Sequence, residues 1–309
     1  MDGYTGPRDI YGNPVEIFGP SANCTLDICP IEYSVYEYQP TLSANYAFIA
    51  IFGVALLVHA YLGFRWKSWW YMGCMVVGCA VEMAGYGGRI MLHDNPFNFG
   101  AFLTQIVCIT TAPVFYCAGI YVTIAKAVVY FDQSISRIHP KLYYWIFIVC
   151  DVVSLTLQGS GGALSSVSDG SSSIGVDLAL AGLGFQVATL FFFCVLFCDY
   201  LFRYSRQTRA EGKTIGGRVK VFFSFLSLAI ALILARCAFR VKELEDGYEG
   251  ELIHDETLFI ALEGVLVVLA VFALCLGHPG VVFGRPESES GVAKSEYESG
   301  YSGRLESQH

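Results

Sequence analysis

Seven apolar runs, each close to the roughly 20 residues that a helix needs to cross a bilayer, leave this chain few folds to adopt. They cover residues 44–64, 70–90, 99–121, 142–157, 178–202, 219–239 and 257–276. A lipid core offers no water to backbone N–H and C=O groups, so spans of this length must close their hydrogen bonds internally, as helices. The expected fold is all-α: a polytopic membrane protein with a seven-transmembrane-helix bundle. Composition agrees, because 54% hydrophobic residues against 15% charged ones leave too little polar surface for a soluble globule of 309 residues. The fourth run is the shortest, and the third reads as continuing to Val129.

Lys and Arg in the connections set the orientation. The connections after runs one, three and five hold eleven basic residues, from Arg65 and Lys67 through Lys126, Arg137 and Lys141 to the six between Arg203 and Lys220. The opposite side has Arg8, Arg240 and Lys242, with Arg89 at a membrane edge. This bias places the N-terminus outside and the C-terminus in the cytosol. The chain then divides into an extracellular segment (1–43), a transmembrane domain (44–280) and a cytosolic tail (281–309). The tail is too poor in apolar residues to fold and offers a surface to cytosolic regulators. Residues 1–43 lack a basic stretch followed by an apolar one, so no cleavable signal is expected and the first run directs insertion. A net charge of -8 leaves no basic face for nucleic acid.

Nine of the eleven cysteines lie in apolar runs, where thiols behave as small hydrophobes. Cys24 and Cys29 sit instead in the polar N-terminal segment, beside the glycosylation sequon Asn23-Cys24-Thr25. Outside the cytosol a local Cys24–Cys29 disulfide is expected, with Asn23 a glycosylation candidate.

Polar residues inside the spans are few. The second run holds Glu82, Tyr86 and Arg89 in the stretch VEMAGYGGR. Seven residues is close to two helical turns, so Glu82 and Arg89 share a face. Ala80, Ala84 and Gly88 form a small stripe suited to close helix approach. Gln105, Asp151, Gln158, Gln186, Arg236 and Glu263, counted from the span ends, fall in the middle or outer half of the bundle. A charge at the bilayer centre costs about 2.5–3.5 kcal/mol even on a lenient scale, so these side chains should face one another or water. Two readings stay open: a polar cavity open to the outside that binds substrate or couples protons, or buried ion pairs that fix helix register. Partners across the bundle are expected, Arg236 with Glu82 or Glu263, and Arg89 with an acid of span four or seven. Pro113 removes a helical hydrogen bond in span three, which should kink it and expose a carbonyl.

Other chemistry is disfavoured. The histidines fall at span ends and on both sides of the membrane, so no metal set and no cofactor are expected, and with them no enzyme. Gly212-Lys213-Thr214 lacks the preceding glycine and strand of a phosphate-binding loop. Gly159-Ser160-Gly161-Gly162 reads as part of a flexible outer connection, 159–177.

In order along the chain stand Glu82-x-x-Gly85-Tyr86-x-x-Arg89, Ala112-Pro113 with Tyr121, and Asp151-x-x-Ser154-x-x-x-Gln158-x-x-Gly161-Gly162. They are followed by Gly182-x-x-x-Gln186, by Arg236-x-x-Phe239-Arg240-x-x-Glu243, and by a seventh-span region from Glu256 to His278-Pro279-Gly280. The set resembles the fungal RTA-like proteins, the lipid-translocating exporter family, over residues 44–280. Phe239, where the family has tyrosine, and Glu263, where it often has aspartate, are mild departures. The resemblance implies a plasma-membrane protein whose partners are membrane lipids and amphipathic small molecules. It would export or flip lipids such as sphingoid long-chain bases, or confer resistance to membrane-active toxins. Glu82, Asp151 and Glu263 would serve a headgroup or a proton, while Arg89 and Arg236 hold geometry or bind phosphate. A seven-transmembrane sensor for a lipid-like ligand is the alternative.

Overall fold

The computed structural model describes residues 15–17, 19–131, 136–137, 139–167, 173–212, 214–245, 250 and 252–283. Among these there is no strand, and seven helices are long and apolar enough to cross a membrane. They are α1 (Leu42–Trp66), α2 (Trp69–Asp94), α3 (Phe99–Phe131), α4 (Pro140–Val167), α5 (Ser173–Ala210) and α6 (Gly217–Glu245), followed by α7. Helix α7 joins three pieces: Glu256–Leu258, a π-helical stretch Phe259–Val265, and Leu266–Leu276. A short α8 (Gly280–Phe283) follows. The chain is thus a seven-helix, multi-pass membrane protein.

The helices bury one stripe and turn the other to lipid. On α1 the buried residues Phe48, Phe52, Ala55, His59 and Gly63 recur at steps of three and four, while Val54, Leu57, Tyr61 and Phe64 are exposed. Glu82, Arg89, Asp151, Arg236 and Glu263 all point inward. That distribution suits a hydrocarbon solvent, in which an outward charge is the costly one.

Helix α2 packs along α1 and α3, α4 along α5, and α6 along α7. Of the expected small stripe the α2–α3 approach uses Gly88 alone, since Ala80 and Ala84 are exposed. Gly78, Gly85 and Gly88 form the contact, because the groups they meet need glycine. A Cβ at Gly88 would stand 2.9 Å from both the Ala101 carbonyl oxygen and the Gln105 amide nitrogen.

Of the Gly/Ser-rich connection expected at 159–177, residues 159–167 and 173–177 are helical, and 168–172 lie outside the described residues. Helix α4 continues to Val167 and α5 begins at Ser173, so the shortest expected span becomes a 28-residue helix. The reason is packing. A Cβ at Gly161 would lie 2.6 Å from the Gly175 carbonyl oxygen, so the two backbones touch there. Polar side chains complete the seam: Ser154 Oγ donates to the Gly182 carbonyl at 2.7 Å, and Gln158 Nε2 donates to Ser154 Oγ at 2.7 Å and to Gln186 Oε1 at 3.0 Å. Helix α3 runs two residues past Val129, to Phe131.

One end of the bundle is capped by the N-terminal segment. Cys24 and Cys29 are disulfide-bonded and pack with Val15 against Phe97 of the α2–α3 connection. At the opposite end α8 docks against Trp66, and the Phe283 ring meets those of Tyr130 and Phe222 at 5.1 and 5.9 Å. Residues 281–283 of the expected tail belong to α8, and the rest of it, 284–309, lies outside the described residues.

Candidate functional site

At the centre of the bundle α2, α6 and α7 bring together Glu82, Tyr86, Arg236 and Glu263, none more than 1% exposed. Arg236 Nη2 donates to Glu263 Oε2 at 3.0 Å and to the Ile109 carbonyl at 2.9 Å. Backbone irregularities put both acceptors in place. Pro113 has no N–H, so the Ile109 carbonyl four residues earlier loses its helical donor, and the guanidinium supplies one. Glu263 projects from the π-helical stretch, a rare geometry that recurs at functional sites. Beside it Gly264 accepts the Phe48 ring, which a Cβ would overlap.

Glu82 stands within electrostatic reach of Arg236 and Glu263. Both of its oxygens, the Tyr86 hydroxyl and Glu263 Oε1 are buried without a hydrogen-bond partner among the described residues. Of the two carboxyl groups near the guanidinium, Glu263 alone is bonded to it, and Arg236 Nε and Nη1 are likewise buried without a partner among the described residues. An unpaired charge is costly in such an interior, so the arrangement can hold a proton or a small cationic group on the second carboxyl.

Toward the capped end, Arg89 is the anchor. It is 1% exposed, lies 3.9 Å from the Phe259 ring centroid, and donates to Tyr38 Oη at 3.0 Å and Glu256 Oε1 at 3.3 Å. Glu256 also accepts the Thr41 amide and hydroxyl, each at 2.7 Å. Gln105 donates to Tyr36 Oη at 2.9 Å, and Gln39 donates to the His93 carbonyl at 2.6 Å. Tyr36 and Tyr38 thus plug the end of the bundle. Burial raises the pKa of both phenols above its ordinary value, against the pull of Arg89, and they remain protonated.

Beside this plug a cavity of about 960 Å³ lies between α3 and α4, with α5 and α6 behind it. Its walls are largely apolar, with Ile106, Leu155 and Leu183 among them, while Glu37 and His254 stand at its rim and Gln158 and Arg240 further in. The size falls at the upper end of the roughly 300–1,000 Å³ usual for small-molecule sites. Val107, Gly159 and Ala163 line it and are exposed, so it opens to the exterior along the spanning segments of α3 and α4, the direction in which lipid would lie. Arg240, ion-paired with Glu243, is one helical turn from Arg236, so α6 links the cavity to the buried cluster.

Comparison with known proteins places this architecture. Residues 75–286 match the family described as RTA1 like protein. The chain belongs to the RTA1-like family. A relative in Saccharomyces cerevisiae (strain Lalvin EC1118), named sphingoid long-chain base transporter RSB1, is 32% identical over 279 residues, covering 79% of this chain and 73% of its own. Protein RTA1 of S. cerevisiae (strain S288c) is 25% identical over 84% of this chain and 89% of its own length. Protoporphyrin uptake protein 1 of the same strain is 31% identical over 65% and 66%. No solved structure matches.

In this RTA1-like chain the nine polar residues singled out from the sequence fall into separate groups rather than around one open cavity. Glu82, Tyr86, Arg236 and Glu263 form the closed cluster, and Glu263 is the partner Arg236 takes. Arg89 and Gln105 hold the plug, Arg89 through the span-seven acid Glu256. Asp151 is apart, beside Tyr121 and Cys117, with Oδ2 buried and lacking a hydrogen-bond partner among the described residues. Gln158 lines the cavity and ties to Gln186. Sequence reasoning passed over Tyr36, Tyr38 and Glu37. The signal available was the aromatic run Tyr33, Tyr36 and Tyr38, which stands out in a short polar segment beside a cysteine pair. No group of three metal-ligating side chains occurs among the described residues.

Proposed function

We propose that this protein moves amphipathic lipids across its membrane, with long-chain bases as the substrate type, and thereby confers resistance to membrane-active compounds. The observation that carries the reading is the large apolar cavity that opens along the spanning segments of α3 and α4 and is joined through α6 to a sealed carboxyl–guanidinium cluster. A lipid chain needs apolar walls reached from the bilayer, and moving its polar end through the protein needs groups that can replace water. The name of the relative RSB1 supports the substrate type. The Lys and Arg distribution supports a capped end facing outside, and a plasma-membrane location follows from the family resemblance.

Within the cluster Arg236 Nη2 is bonded to Glu263 and to Ile109, while neither Glu82 oxygen has a hydrogen-bond partner among the described residues, so Glu82 is the acid that takes up a proton or cation during transport. Asp151, below the cavity residues Leu155 and Gln158 on α4, is the second such acid. Arg89 keeps the plug closed. The test is movement of long-chain bases, phospholipids and porphyrins by the purified protein in liposomes, with Glu82→Gln, Asp151→Asn and Glu263→Gln compared at equal incorporation. Transport by the unaltered protein with at least a tenfold loss in Glu82→Gln is expected. Undiminished transport by all three variants removes the carboxyl roles. Absence of transport by the unaltered protein, with ligand-dependent binding of a cytosolic partner, makes the protein a sensor instead.

A further inference from the structure

The cavity has a direction as well as a volume. From Phe99 at the start of α3 to Thr110, both lining it, the helix advances roughly 17 Å at about 1.5 Å per residue. That is about half the thickness of a hydrocarbon core of roughly 30 Å. The lining from Leu103 to Val107 on α3 and from Leu155 to Ala163 on α4 is largely apolar, whereas Tyr33, Ser34, Glu37 and His254 gather at the capped rim. A molecule filling it would be a single chain lying along the membrane normal with its polar end at that rim.

The rim has a sign. Inside the cavity the charge of Arg240 is matched by Glu243. Among the described residues the ion-pair partner of Glu37 is His254, 3.6 Å away. The N-terminal segment is acidic, with Glu16, Asp27, Glu32 and Glu37 and no Lys or Arg in residues 15–41, whereas Glu243, Glu245 and Glu256 are already paired with Arg240, Lys242 and Arg89. Such a field gathers cations.

Glu37 is also held in an unusual backbone state. Its φ of +56° is left-handed, a conformation disfavoured for a residue with a side chain, and strain of this kind concentrates at functional sites. The neighbours enforce it. Ser34 Oγ accepts the Glu37 amide at 3.1 Å, while Tyr36 is fixed by Gln105 and Gln39 by the His93 carbonyl. The carboxylate is therefore held at the cavity mouth by anchors on both sides of it in sequence.

We infer that a single-chain amphiphile with a cationic amine headgroup enters this cavity sideways from the leaflet on the capped side, between α3 and α4, and seats its amine on the Glu37 carboxylate. The inference rests on the transport reading for its purpose, but concerns where the lipid binds and by what route. Val107 and Ala163 flank the entrance, and Glu37 selects the charge.

The experiment uses the full-length protein in detergent and a long-chain amine carrying a chain-end diazirine, compared with its N-acetylated, uncharged counterpart. Binding of the amine at least tenfold tighter than the acetylated form is expected for the unaltered protein. Glu37→Gln should abolish that preference while leaving binding of the acetylated form unchanged. Val107→Trp and Ala163→Trp should weaken both ligands. Photo-crosslinks from the chain end should fall at the deep end of the cavity, on 106–111 and 155–159. Equal binding of the two ligands by the unaltered protein, an unchanged preference in Glu37→Gln, or crosslinks confined to the Glu82 cluster overturns the inference. Liposome movement in the same preparation separates the two conclusions. Transport with crosslinks elsewhere sinks the site but not the transporter, and the expected crosslinks without transport sink the transporter but not the site.

Discussion

At the residue scale the central fact is that Arg236 serves two acceptors that nothing else satisfies, the Ile109 carbonyl freed by Pro113 and the buried Glu263 carboxylate. Removing one partner of a buried pair typically costs about 3–5 kcal/mol, because the other charge is left uncompensated, whereas replacing both by apolar residues of similar size is often neutral. Arg236→Met should therefore lower the melting temperature sharply, and Arg236→Met with Glu263→Met should recover most of that loss without recovering transport. Thermal unfolding followed by size-exclusion chromatography reads the first effect and the liposome assay the second. A double variant as unstable as the single one would show that the Ile109 contact, and not the charge pair, dominates. The sequence made these residues legible as a set, since a charge in an apolar run has to face inward. It could not say that Arg236 bonds Glu263 and not Glu82 while Arg89 turns to Glu256, because pairing depends on helix rotations that no span boundary specifies.

At the scale of elements, helix number and approximate span positions could be read from hydropathy alone. The readings that failed did so for a shared physical reason, because glycine has two opposite uses. In water a Gly/Ser-rich stretch such as 159–162 signals a flexible connection, but between helices in lipid the same residues allow backbones to touch. Gly161 does this against Gly175, and Gly88 against Ala101, while Ala80 and Ala84, which carry the Cβ such contacts exclude, face outward. The π-helical turn at Phe259–Val265 left no pattern in the apolar run to reveal it. Gly161→Leu should consequently separate α4 from α5 and destabilise the protein by about 2 kcal/mol or more, in the range of overpacked sites. Gly159→Leu, at an exposed position with nothing near its Cβ, should leave the melting temperature within error of the unaltered protein. Equal melting temperatures for the two variants would return 159–162 to being a loop.

For the whole molecule, the two ends differ in kind. One is a plug of tyrosines locked onto Arg89 and Gln105, and the other carries α8 and the arginines at the end of α5 (Arg203, Arg206, Arg209) and the start of α6 (Arg218). The plug has its own pH dependence. Burial raises the Tyr36 and Tyr38 phenol pKa values above the ordinary value, so docking favours the protonated form. Its stability is then complete below the free phenol pKa of about 10 and declines as pH rises past it, since only the released segment ionises. Protease cleavage within 31–41 should accelerate above about pH 10, and less so in Tyr36→Phe with Tyr38→Phe, which has nothing to titrate there. The proposed orientation, with the capped end outside, rests on the Lys and Arg distribution, and it can be tested without relying on whether the sequon is used. Asn23 is exposed, with Oδ1 accepting the Glu16 amide at 3.0 Å, so a glycan-dependent mobility shift lost in Asn23→Gln would place this end outside. An impermeant thiol reagent should label Ser21→Cys in intact cells and Arg206→Cys only after permeabilisation. The reverse pattern would invert the protein in its membrane, put the cavity rim in the cytosol, and turn the proposed entry from the outer leaflet into entry from the inner one.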